Sequence, residues 1–80
     1  MFAIRNLSVL SYAQGFTLWH YRIPTGGKLA DVLAPGFFIG ERNLIPPNDM
    51  ILVSGAGEGA TLFVQHGAEG ITVVVMARTP

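Results

Sequence analysis

Glycine punctuates the C-terminal half of this 80-residue chain at a spacing that leaves it few folds. Residues 50–54 (MILVS), 60–66 (ATLFVQH) and 71–78 (ITVVVMAR) are short runs rich in β-branched and aromatic side chains. "GAGEG" and "GAEG" separate them, and glycine is the residue that tight turns favour. Strand-length runs joined by glycine turns describe a meander.

The upstream segments fit around that meander. Residues 16–22 (FTLWHYR) read as a further strand. Phe16, Leu18 and His20 fall on one face of it, and Thr17, Trp19 and Tyr21 on the other. Both faces carry large apolar groups, as expected of a strand covered on both sides. Residues 24–27 (PTGG) break it. Residues 28–34 (KLADVLA) suit a short helix, because Leu29, Val32 and Leu33 make one apolar stripe at i, i+3 and i+4. Pro35 ends that helix and Gly36 lets the chain reverse. Phe37 and Phe38 then diverge. One is expected to plug the core and the other, with Ile39, to face a subunit seam; the sequence leaves open which is which. Residues 39–49 are irregular, with Asn48 and Asp49 as turn formers. The fold expected is mainly β, a small β-barrel or sandwich-like meander with one short helix and no alternating βαβ pattern. Residues 16–80 form the single small domain, and residues 1–15 form an N-terminal arm whose apolar residues hold no single period, which leaves a short strand in it as an open alternative.

A domain of this length buries only about 60–65% of the surface its unfolded chain exposes, so it needs help to be stable. Disulfides, metals and oligomerisation are the usual sources. The chain has no cysteine, and His20 and His66 lack ligand spacing, so no metal or cofactor is expected. Oligomerisation remains. Half the residues are hydrophobic and 12% are charged, against about 25% in an average soluble domain. Part of the apolar surface is therefore expected to be an interface. The formal net charge is zero and the basic residues are scattered, which argues against nucleic acid as a partner. No apolar run reaches the roughly 18 residues of a membrane span. Nor does the N-terminus read as a secretory signal, so Asn6-Leu7-Ser8 is taken as a chance match to the glycosylation pattern.

Catalytic constellations are scarce. "GAGEGA" precedes a strand rather than a helix and fits neither phosphate-loop spacing, so it reads as a hairpin turn. Ser54 is not in G-x-S-x-G, and the hairpin places His66 at its far end, which disposes of a triad built on those two. The carboxylates read as solvated or capping groups. His20 reads as a packed residue with one satisfied nitrogen in preference to a ligand-cleft residue. Trp19 and Tyr21, on one strand face, are a candidate glycan-stacking platform, although core or interface packing explains them better. The chain is not expected to be an enzyme.

Several motifs carry a resemblance. Trp19-His20-Tyr21 is followed by Leu29 to Val32, then Gly36-Phe37-Phe38, then Asn48-Asp49-Met50-Ile51 entering a strand. This order resembles a group of small proteins encoded among the structural genes of tailed phages and prophages. In them a "W-x-Y" strand precedes "A-V-A-GYF", and a "GD-I" turn leads into a closing β-meander. The likeness covers roughly residues 16–76. Phe37 stands where tyrosine is commoner and Asn48 where glycine is, and asparagine tolerates turn conformations.

The resemblance implies a virion component made in the host cytoplasm. The form expected is a capsid decoration, or cement, protein that sits as a homotrimer on the major capsid protein lattice. The alternative is a glycan-binding module of a tail fibre or head spike. The interface is expected to use the apolar arm and the double phenylalanine: Phe2, Ile4, Leu7, Val9, Phe37, Phe38 and Ile39.

Overall fold

A computed structural model describes residues 2–34, 36–38, 44–68 and 70–80. A 3-10 turn, Ile4–Asn6, leads into β1 (Leu7–Ala13) and β2 (Phe16–Arg22). The helix α1 (Leu29–Leu33) follows, then β3 (Met50–Gly55), β4 (Glu58–Gly67) and β5 (Gly70–Arg78). The five strands form one sheet in the order β1-β2-β3-β4-β5. The chain is mainly β with one short helix, as its runs predict, but the sheet is open and β1 and β5 are its edges.

One pairing departs from the expected meander. β2 and β3 run parallel, with Leu18 opposite Met50 and Arg22 opposite Ser54. The other three pairs are antiparallel. Parallel neighbours need a crossover, and residues 23–49, which include α1, provide it. A single βαβ unit is therefore present where the sequence showed no such pattern. Its helix is only five residues long, which gives a weak periodic signal.

The crossover covers one face of the sheet, and the core lies between them. Trp19, Tyr21, Ile51, Val53, Leu62, Val64 and Ile71 point inward from the strands. Leu29 and Val32 from α1, with Phe38 and Ile45, close over them. Four aromatic rings anchor this layer. Phe2, Phe37 and Phe38 surround Tyr21, with ring centroids 5.4 to 5.8 Å from it. The Tyr21 hydroxyl accepts a hydrogen bond from the Ala3 amide at 3.1 Å. The segment read as an arm is thus tied down at Phe2 and Ala3 and continues as the edge strand β1.

Four long-range hydrogen bonds fix the loops. Both carboxylate oxygens of Asp49 are used: Oδ1 accepts from the Thr17 amide at 2.9 Å and Oδ2 from the Trp19 indole at 2.8 Å. Asp49 is 1% exposed, so the reading of it as a solvated turn residue does not hold. His66 Nε2 donates to the Ile45 carbonyl at 2.7 Å. The Glu58 carboxylate accepts from the Leu29 amide at 3.0 Å and so supplies the N-terminal cap that Lys28 cannot.

The β3–β4 hairpin has a two-residue loop, Ala56-Gly57, with φ of 54° and 77°. Positive φ at both positions is the type I′ arrangement, for which Asn-Gly is the preferred pair. Gly55 before it is required by space as well as by its φ of +139°, because a Cβ there would lie 2.8 Å from Ile23 Cβ. Ala56 is the poor fit, since a left-handed alanine costs about 1–2 kcal/mol. Ala56→Asn should therefore raise stability by roughly 0.5–1 kcal/mol. The expected readout is a higher urea midpoint at an unchanged m-value; a lower midpoint would contradict the turn assignment.

Candidate functional site

Among the described residues, no layer lies over the second face of the sheet. Residues directly opposite in the register share a face, so Leu18, Met50, Phe63 and Val74 form one row across four strands. Beside it run His20, Leu52, Thr61 and Ala77. Phe16, two residues before Leu18, extends the apolar area toward the β1–β2 turn. None of the large apolar side chains on this outer face is buried: Phe16, Leu18, Met50, Leu52 and Phe63 are half-buried, and Val74 is 44% exposed. A one-sided sheet ordinarily alternates apolar-in and polar-out. Here β2 and β3 carry large apolar groups on both faces and β4 adds Phe63 to the outer one, but among the described residues only one face is covered.

A polar corner borders this patch where the parallel pair ends. His20 Nε2 and Ser54 Oγ share a hydrogen bond of 2.7 Å. Arg22, opposite Ser54 in the register, is exposed and has no partner among the described residues. His20, Arg22, Thr25, Gly26, Ser54 and Ala56 help line an open cleft of about 560 Å³. The sequence reading paired Ser54 with His66 only to reject it. His66 is indeed bound elsewhere, to Ile45, and His20 takes the place beside Ser54 because β2 lies parallel to β3. His20 has one bonded nitrogen, as expected, and also lines a cleft.

The residues expected at an interface divide three ways. Phe38 is buried, and Phe2, Leu7 and Phe37 are half-buried against the chain's own core, so packing inside the subunit engages them. Phe38 is thus the core plug; Phe37 also packs inward on Tyr21 and is not left for a seam. Ile4 and Val9 are exposed, at 59% and 39%. Ile39 lies outside the described residues. The glycan platform is corrected outright: Tyr21 is fully buried and Trp19 is 8% exposed, so neither ring offers a face to a sugar. The signal for the outer face was present in Phe16, Leu18 and Phe63, but alternation alone does not say which of two apolar faces is covered.

The chain was compared with family models, curated proteins and solved structures, and none of them matches it.

Proposed function

We propose that this chain is a structural assembly protein, and that the bare apolar face of its sheet is the surface that assembles. The single observation that carries this reading is the row Leu18–Met50–Phe63–Val74, flanked by Phe16 and Leu52, on a face that nothing among the described residues covers. Contiguous apolar patches of this kind mark interaction sites, and a specific interface needs only about 800 Å² per partner. Three such sheets arranged around a shared axis would bury their outer faces together.

The particular assembly proposed is a phage capsid decoration protein: a homotrimer on the outer surface of the major capsid protein lattice that stabilises the head by adding contacts between capsomers. This part rests on the likeness of the Trp19-His20-Tyr21, Gly36-Phe37-Phe38 and Asn48-Asp49-Met50-Ile51 motifs to small phage structural proteins. Its test is to mix the purified protein with undecorated tailed-phage capsids and image them by cryo-EM. Density at defined lattice positions is expected. Bare capsids after incubation at saturating protein would overturn the capsid role, while the mass of the free protein decides the assembly role separately.

A further inference from the structure

We propose that the polar corner at the carboxyl ends of β2 and β3 is a binding site for a tetrahedral oxyanion, the phosphate or sulfate group of a small ligand. This goes beyond the assembly reading and does not depend on it.

Four features converge on the cleft. Arg22 is one of only five Lys and Arg residues in the chain, and it stands there without a counter-charge among the described residues. Guanidinium is the side chain best matched to phosphate, because its planar fork donates two parallel hydrogen bonds. None of the cleft's lining residues carries a carboxylate, and the nearby Glu58 is engaged by the Leu29 amide. Ser54 supplies a second donor. With Nε2–H of His20 donating to Ser54 Oγ, the serine hydroxyl hydrogen is free to turn toward the anion.

Two tight turns form the rest of the wall. Residues 24–27 close on the bond from the Gly27 amide to the Pro24 carbonyl, 2.8 Å, with Gly26 at φ +85°. The second turn is Ala56-Gly57. The amides of Gly26 and Ala56 make no hydrogen bond among the described residues and can add backbone donors. A side-chain fork, a hydroxyl and the amides of two separate turns line one cleft, more donors than the two oxygens of a carboxylate can use and enough for the several oxygens of a tetrahedral anion.

The test is an NMR titration of the full chain, following backbone amides, with inorganic phosphate, sulfate, glucose 6-phosphate, acetate and glucose. Saturable shifts confined to residues 22–26 and 54–57 are expected with phosphate, sulfate and the phosphate ester, and not with glucose or acetate. Tighter binding of glucose 6-phosphate than of inorganic phosphate would identify an ester as the ligand class, and the reverse order a free anion. Arg22→Gln should weaken binding roughly tenfold or more and Ser54→Ala several-fold. Both residues are exposed, so both variants should give the dispersed spectrum of the parent. No saturable shift with any anion, equal response to acetate, or unchanged affinity in Arg22→Gln would each overturn the proposal.

Discussion

Replacing Asp49 with alanine should cost this protein about 3 kcal/mol, a large share of the roughly 4–12 kcal/mol that a chain of this length can have in total. The reasoning is one of unmet donors. Asp49 is the acceptor for both the Thr17 amide and the Trp19 indole. Alanine leaves the two N–H groups facing each other's former partner with no oxygen between them. Each buried donor left unpaired costs about 1–3 kcal/mol. Relief of the desolvation of the lost carboxylate offsets part of that sum, which sets the net figure.

The loss is also topological. Asp49 sits just before β3 and reaches across to β2, so its carboxylate helps set the register of the parallel pair. Asp49→Asn keeps one acceptor oxygen but turns an NH₂ toward the other donor, and should cost about half as much. Urea unfolding followed by Trp19 fluorescence measures both. A loss below about 0.5 kcal/mol for Asp49→Ala would show that the two bonds are not a principal tie between the strands.

The second large effect falls on association. Phe63→Glu places a charge in the middle of the outer apolar row, between Met50 and Val74. An unpaired charge desolvated at the centre of an interface costs about 2–5 kcal/mol, which is roughly one and a half to three and a half decades in dissociation constant. The fold itself should lose little, about 1 kcal/mol, because Phe63 is half-buried only by its neighbours on the same face. Tyr12→Glu is the matched control. Tyr12 is 80% exposed and lies opposite Thr17, on the other side of the sheet. It should leave association unchanged. Sedimentation velocity on the three proteins distinguishes a specific outer-face interface from general stickiness, since the latter would respond equally to either charge.

Strands β2 to β5 were legible from the sequence because β-branched or aromatic runs coincided with glycine or proline breaks, whereas β1 was not, since Phe2, Ile4, Leu7 and Leu10 hold no single period. The short helix was legible from Leu29, Val32 and Leu33. The parallel crossover was not legible, because the pairing of Leu18 with Met50 joins segments far apart in the chain and leaves no local trace. The role of Asp49 was hidden for the same reason. Its neighbourhood, Pro46-Pro47-Asn48, reads as a turn and is one, with Asn48 at φ 73°. The turn, however, delivers the carboxylate to a strand thirty residues earlier.

The candidate site shows the same division. Trp19 and Tyr21 were rightly singled out as the large groups in the middle of the chain, yet their burial rules out the platform. The interface was sought in the terminal arm and at Phe37-Phe38 because those residues lacked evident partners in one dimension. In three dimensions Phe2, Phe37 and Phe38 partner one another and Tyr21. Ile4 and Val9 of the arm stay exposed, and a second apolar surface lies on the outer face at Phe16, Leu18, Met50, Leu52, Phe63 and Val74. Composition had already signalled such a surface, since a chain only 12% charged cannot cover itself with polar groups.

Light scattering coupled to size-exclusion chromatography decides whether that surface is an interface. At micromolar concentration the parent chain is expected to elute with the mass of three 8.6 kDa subunits, and Phe63→Glu with the mass of one. A parent protein that elutes as a monomer across the concentration range, with Phe63→Glu indistinguishable from it, would contradict assembly of copies through the outer face.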